Sequence, residues 1–448
     1  MKKALPAAAA TPPTYGKAWG QGNLTRFRQH PLHVLREIGQ CGAVVQFRLG
    51  WLRCYLVTQP DGIGQVFLSE MTRESPGFRR IRHTVGEGLL TMTGAAHRDR
   101  RRVMQPTFSH QHVQQWGESI VQRTAEMLDT WQPGQERDVE AEMLELTFRI
   151  LGRVLFGTAR ERDVLQAAFA DLNAYVNQRQ GSLPLPPVIP THMNRRLKQA
   201  QRVLDQDISR MIDLHQQEPA RFDGDILSCL LHAQTKDGRS LSRDEIRNEV
   251  RTLVPAGHET TTSLLTWVWY LLDQNPDVAQ RLHAELDGVL HGRLPTVADV
   301  PQLSYTRMVL HETLRLYPAI CFLGRKTTQE TIIDGYRVAK HAVVFVSPWV
   351  THADPVLWDE PHRCDPERFA PEQVAQRPRY AYFPFGGGPS TCIGEPLALL
   401  EGQLILATIA QRYRLTLRPH HEVRLTLVPS LRPRGGLPMT ITKREVQE

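Results

Sequence analysis

Apolar residues recur at intervals of three and four through the middle of the chain. The stretches "QHVQQWGESIVQRTAEMLDTW" (residues 111–131) and "EAEMLELTFRILGRVLFG" (residues 140–157) both show this spacing. It puts one apolar stripe along each segment and predicts two amphipathic helices. "EPLALLEGQLILATIAQRY", from Glu395, is a third strong helical run. Strand signals cluster near the two ends. "AVVQFRLGWLRCYLVT" (residues 43–58) reads as a hairpin, and "TIIDGYRVAKHAVVFVS" (residues 331–347) carries the Asp334-Gly335 turn signal. The pattern predicts a mainly α fold with small β-sheets on one side (α+β). With no internal repeat and no low-complexity linker, residues 1–448 are expected to form a single domain.

The longest helix is expected to open at Ser242, whose side chain can cap the amide of Glu245 while Glu245 reaches back, a capping box. It runs to about Gln274, where Asn275-Pro276 stops it. Roughly 30 residues at about 1.5 Å each span about 45 Å, enough to cross the molecule. Inside it lies "VPAGHETTTS". Pro255 removes a backbone donor and Gly257 weakens the turn, so a bend is expected there. Glu259 and Thr260 follow at once, an acid beside a hydroxyl. From the residues alone, a packing kink and a functional pair account for them equally. The proline-rich "GSLPLPPVIPTHMNRR" (residues 181–196) interrupts two helical runs and reads as a mobile connection over a pocket.

The chain is 41% hydrophobic and 23% charged, which suits a large core. Its formal charge of +7 fits nucleic acid, an acidic membrane surface or an acidic protein. There is no zinc-finger spacing, no aromatic-rich single-strand-binding run and no long basic block, so nucleic acid is set aside. The six cysteines are scattered without a Cys-x-x-Cys pair, which argues against a disulfide framework and a structural zinc site and points to a reducing, cytoplasmic setting. The opening "MKKALPAAAATPPTYG" imitates a signal peptide, but its apolar part is short, so residues 1–20 are expected to be a flexible arm. No stretch reaches the roughly 18 apolar residues of a transmembrane anchor.

One cysteine stands apart. "FPFGGGPSTCIGEPLALLEG" (residues 383–402) holds Cys392 between a glycine-rich turn and a helix start. Free amides and the helix dipole there favour a thiolate, which can serve as nucleophile or as metal ligand. A nucleophile usually has a base nearby, and no histidine lies locally. Haem iron accepts a single cysteine thiolate as its only protein ligand.

The stretch resembles the haem-binding loop of the cytochrome P450 family, Phe-x-x-Gly-x-Arg-x-Cys-x-Gly. Phe385, Gly388, Cys392 and Gly394 match it; Ser390 stands where the family usually has arginine or histidine. Further motifs follow the family's order: "LHETLRLYP" resembles the Glu-x-x-Arg helix, and "DPERF" supplies a later arginine. The resemblance implies haem b with Cys392 as axial ligand, and a buried charge network of Glu312, Arg315 and Arg368 that holds the loop. It implies propionate contacts from His97 and Arg101 in "HRDRRRVMQPTF" and from Arg325, beside the loop residues Phe385, Gly388, Ser390 and Gly394. Arg98, Arg100 and Arg102 are read as a solvated basic face. It further implies that Glu259 and Thr260 are the acid–alcohol pair that delivers protons during oxygen activation.

The activity so implied is a haem-thiolate monooxygenase that inserts one oxygen atom of O2 into an apolar substrate. NAD(P)H electrons would arrive through a ferredoxin or flavodoxin with its reductase, since no fused reductase domain is seen, and a monomer is expected. By the same resemblance the substrate pocket is lined by Phe78, Leu89, Leu90, Ala256, Ala319, Ile320, Phe322, Val428 and Pro429, each of which would otherwise read as core. Carotenoid, terpenoid and fatty-acid substrates stay open; "LRPRGGLP" looks similar to a bacterial branch that hydroxylates carotenoid rings. Two other functions remain: a peroxygenase driven by H2O2, against which the acid–alcohol pair argues, and a haem-binding sensor without turnover.

Overall fold

Helices form where the three-and-four spacing predicts them. The computed structural model describes residues 9–16, 22–157, 191–427 and 429–444. The two amphipathic runs become helices Gly117–Leu128 and Val139–Phe156. The second is capped by Asp138, which accepts from the Glu140 amide, and is closed by Gly157 at φ 65°. The run after the cysteine loop is helix Glu395–Ala410. The longest helix spans Arg243–Gln274, 32 residues, with both halves of the capping box formed. It stays helical through Pro255. The hydroxyls of Thr260, Thr261 and Thr262 donate to the carbonyls of Ala256, Gly257 and His258 at 2.8, 3.0 and 2.7 Å, a bonding pattern that loosens the helical ladder next to Pro255.

Packing makes this helix the centre of the molecule. Leu264, Leu265 and Val268 share the main core with Leu282 of helix Pro276–Leu290, Leu310 of helix Ser304–Leu316 and Leu404 of helix Glu395–Ala410. Gly402 seats the last of these helices against Leu264 and Leu310; a Cβ there would lie 3.2 Å from Leu310.

The strands are short. β1 (Val44–Leu49) and β2 (Leu52–Val57) form the predicted hairpin, which turns at Gly50 with φ 62°. β3 (Glu136–Asp138) precedes helix Val139–Phe156. β4 (Leu323–Lys326) is followed by β5 (Thr331–Ile333) and β6 (Tyr336–Val338), paired around Asp334 and Gly335 at φ 48° and 78°. β7 (Val343–Val346) runs parallel to β2 and antiparallel to β4, giving the sheet order β1-β2-β7-β4. Its side chains alternate between two apolar clusters, Val44, Tyr55 and Val344 in one and Val45, Leu56 and Val343 in the other, so both faces are covered. Near the C-terminus β8 (Tyr413–Leu417), the hairpin β9 (Leu425–Leu427) and β10 (Leu431–Pro433), and β11 (Pro438–Lys443) complete the fold. The hairpin docks on the central helix: Ser263 Oγ and Trp267 Nε1 both donate to the Leu431 carbonyl, at 2.6 and 2.9 Å.

One expectation is corrected. Within the expected arm, residues 9–16 lie against the sheets: Ala10 bridges Tyr336 and Thr14 bridges Gln46, because backbone groups exposed at those strands find partners in the passing chain. Residues 1–8 and 17–20 of that arm fall outside the described residues, as do residues 181–190 of the proline-rich segment; its remainder opens helix His192–Gln217, capped by Thr191. Among the described residues no helix is long and apolar enough to cross a membrane.

Candidate active site

The cysteine loop is fixed by its own backbone and by what it packs on. The Cys392 amide donates to the Phe385 carbonyl at 2.9 Å, and the Thr391 hydroxyl closes on the Gly388 carbonyl at 2.8 Å. Gly388 has φ 63°, and a Cβ there would sit 2.6 Å from the Phe67 carbonyl oxygen, so only glycine fits between the loop and helix Pro60–Leu68. Gly394 caps helix Glu395–Ala410. Cys392 is exposed while Thr391 and Ile393 beside it are half-buried. Its thiol therefore has an open side, with protein packed closely around the rest. That packing pushes the thiol pKa above its ordinary value, while the Gly394 and Glu395 amides and the Arg101 guanidinium pull it down. Among the described residues no group of three or more His, Cys, Asp or Glu side chains could hold a bare metal ion.

Behind the loop lies the charge network. Arg315 is fully buried and uses all five donors. Nε and Nη2 hold the Glu312 carboxylate in two parallel bonds of 2.7 Å. The remaining N–H groups reach the carbonyls of His352, Pro361 and Arg363 at 2.9, 2.6 and 3.0 Å. Glu312 also accepts from the Asp365 amide at 2.8 Å, and Arg368 stands 3.8 Å away. Burial pushes Glu312 up, and Arg315 pulls against it. His352, which no motif or spacing singles out, carries the network to the loop. Burial holds its ring neutral, with a pKa of about 3, and Nε2 accepts from the Phe383 amide at 3.0 Å.

On the other side of the loop, helix Gly94–Met104 presents His97 and Arg101. Arg101 donates to the Thr391 carbonyl. β4 contributes Arg325, 7% exposed, whose guanidinium lies 5.7 Å over the Phe67 ring. Arg73 joins them from the segment before helix Pro76–Val85. Burial pushes Arg73 and Arg325 down to about 10, so both stay charged at neutral pH. His97 is pushed to about 4 by burial and by Arg73, Arg101, Arg325 and Arg98, and is neutral. Among the described residues no carboxylate lies within ion-pair distance of Arg73, Arg101 or Arg325.

Arg100 requires a correction. It is buried, not solvated: Glu249, on the central helix, accepts from it at 3.0 Å and Glu245 at 2.6 Å. Glu249 also accepts from the Leu89 amide at 2.8 Å, tying the 86–93 loop to the central helix. Burial pushes Glu249 up to about 7 against these partners. Arg98 and Arg102 are exposed as expected.

The sequence model of the family described as Cytochrome P450 matches residues 12–440. The chain belongs to that family. It is 37% identical over 429 residues to cyclooctatin synthase of Streptomyces melanosporofaciens, covering 91% of this chain and 92% of the relative. Identity to cyclooctat-9-en-7-ol 5-monooxygenase of the same organism is 35% over 424 residues, covering 92% of each chain. Among solved structures it superposes on the retinoic acid-bound cyanobacterial CYP120A1 with a TM-score of 0.86 at 26% identity, covering 97% of this chain and 100% of the other. As a P450, the protein is a haem-thiolate monooxygenase acting on an apolar substrate, with O2 and with NAD(P)H-derived electrons delivered by redox partners.

The P450 cofactor fits the residues present. A dianionic porphyrin edge answers Arg73, Arg101 and Arg325, which have no carboxylate partner among the described residues, and a lone exposed thiol answers an iron that takes one protein ligand. The expected pocket residues divide. Leu89 and Ala319 are buried; Phe78, Ala256 and Ile320 are half-buried; Leu90 is 39% exposed. The Leu431 amide donates to the Ala319 carbonyl at 3.0 Å, which brings the turn holding Pro429 beside Ala319. Phe322 instead packs edge-on against Phe27 and Phe345, at 5.8 and 5.6 Å, and its ring is engaged in the core beside the four-stranded sheet. Val428 lies outside the described residues. Glu259 is buried on the central helix, 3.5 Å from Arg432 of β10, which also approaches the half-buried Glu140 at 3.4 Å. Arg432, Arg73, Glu249 and His352 are the functional candidates that spacing did not flag.

Proposed function

We propose that this P450 hydroxylates a cyclic isoprenoid, with Cys392 as the iron ligand. The observation that carries the assignment is the exposed Cys392 thiol beside Arg73, Arg101 and Arg325, which have no carboxylate within ion-pair distance among the described residues. When bound, the haem supplies the reduction of dioxygen and the transfer of one oxygen atom. The Gly394 and Glu395 amides stabilise the sulfur as an anion. Arg101 and Arg325 would pair with the propionates, His97 would donate a neutral N–H, and Ser390 would offer one hydroxyl donor. Glu312, Arg315 and Arg368 keep the loop in register through His352.

Protons are the task of the central helix. The Thr260 hydroxyl holds its proton on the Ala256 carbonyl at 2.8 Å. Arg432 fixes the Glu259 carboxylate, which takes protons from water and passes them to Thr260 Oγ1. Phe78, Leu89, Leu90, Ala256, Ala319, Ile320 and Pro429 wall the pocket. A ring alcohol, cyclooctat-9-en-7-ol, in one relative's name and retinoic acid in a neighbour's title support an isoprenoid skeleton with one polar group. The protein is proposed to be a cytoplasmic, single-domain monomer. Its exposed Arg98 and Arg102 support an acidic ferredoxin or flavodoxin as electron donor.

The test supplies a ferredoxin, its reductase, NADPH and a panel of cyclic terpenes, carotenoids and fatty acids. Wild-type protein should yield a hydroxylated terpene or carotenoid. Thr260→Ala should consume NADPH but divert most electrons to hydrogen peroxide. Unchanged coupling in that variant would remove Thr260 from proton delivery, and oxidation of fatty acids alone would remove the isoprenoid assignment.

A further inference from the structure

The cysteine loop lacks a cation at Ser390, yet the neighbourhood holds one more arginine than the family motifs account for. Arg73 is carried there by a β-bridge: the Thr72 amide donates to the Lys326 carbonyl at 3.0 Å and the Lys326 amide returns the bond at 2.6 Å. This locks Arg73 beside Arg325 on β4. Its Nη2 donates to the carbonyls of Leu89 and Met92, and its guanidinium stands 5.2 Å from the Phe78 ring. Those partners are neutral. Arg73, Arg101 and Arg325 thus bring three charges into one partly buried place with no carboxylate among the described residues. Like charges gathered away from water destabilise the fold unless an anion joins them.

We propose that Arg73 replaces the cation missing at Ser390, binding a haem propionate together with Arg325 and Arg101. This rests on the haem reading above. The same guanidinium grips the carbonyls of Leu89 and Met92, so the propionate and the 86–93 loop share one anchor. No counterpart is needed on the cysteine loop itself, which leaves position 390 free to be a small hydroxyl residue.

The test compares wild type, Arg73→Gln, Arg73→Lys, Ser390→Arg and the double variant Arg73→Gln with Ser390→Arg, each as holoprotein and as apoprotein. Haem loss to excess apomyoglobin should accelerate on the order of tenfold in Arg73→Gln, as fits loss of one charged hydrogen-bonded contact. Arg73→Lys should fall between, and the double variant should return close to wild type. Thermal unfolding separates this role from packing: Arg73→Gln should lower the holo midpoint and leave the apo midpoint unchanged or higher, since it relieves repulsion among uncompensated cations. Equal destabilisation of both forms, or haem loss at the wild-type rate, would overturn the proposal, as would failure of Ser390→Arg to restore retention. Should Arg73→Gln not fold, the lysine variant and Ser390→Arg alone decide: slowed haem loss in Ser390→Arg supports the missing cation, and no change in either refutes it. Wild-type protein that takes up no haem would sink the haem reading itself, a result distinct from these.

Discussion

Arg315 has no freedom left: five donors, five acceptors, no exposure. Arg315→Met would remove all five bonds and leave Glu312 buried without its cation, which costs about 3–5 kcal/mol of stability. Urea unfolding should show that loss, and Arg315→Lys should not repair it, because an ammonium cannot hold a carboxylate and three carbonyls in one plane. A loss below about 1 kcal/mol would contradict the network's role. The pair itself was legible in the sequence because Glu312 and Arg315 are one helical turn apart. Arg100 was not. Its partner Glu249 is 149 residues away, and an arginine in a run of arginines looks solvated until that partner is placed. Arg432 escaped notice for the same reason, its partners Glu140 and Glu259 lying far off in sequence.

Elements with local causes were readable. The capping box at Ser242, the Asp334-Gly335 turn and the hairpin at Gly50 need only neighbours in sequence. How elements join was not readable, and His352 shows why: it sits after the short helix Pro348–Thr351 and links helix Ser304–Leu316 to the cysteine loop through two unrelated atoms. The link works with a neutral ring. The folded pKa, about 3, lies below the ordinary 6.5, so the unfolded chain binds a proton first as pH falls. The stabilisation is full above pH 6.5 and is lost as pH drops from there towards 3. Between pH 6.5 and 5.0 that amounts to about 2 kcal/mol at 1.36 kcal/mol per unit. His352→Gln, which keeps an acceptor for Phe383, should flatten the urea-derived stability profile between pH 7.5 and 5.0 by about that amount. His97 and His258, also held near 4 by burial, should retain their own share of the slope. An unaltered slope would mean that His352 is not held neutral.

Across the whole molecule, three regions far apart in sequence meet at one loop. The N-terminal third sends His97, Arg101 and Arg73; residues 304–326 send helix Ser304–Leu316 and Arg325; the segment around Cys392 provides the thiol. The central helix receives the terminal hairpin at Ser263 and Trp267 and Arg432 at Glu259. On the proposed reading, these regions together would present a sulfur anion to an iron porphyrin whose acidic edge meets Arg73, Arg101 and Arg325. The reduced, carbon monoxide-treated difference spectrum of the purified holoprotein tests this most directly. Wild type should give the absorption band of a thiolate-ligated haem, and Cys392→Ala should lose it. A histidine-type band in wild type, or a thiolate band that survives in Cys392→Ala, would contradict the account.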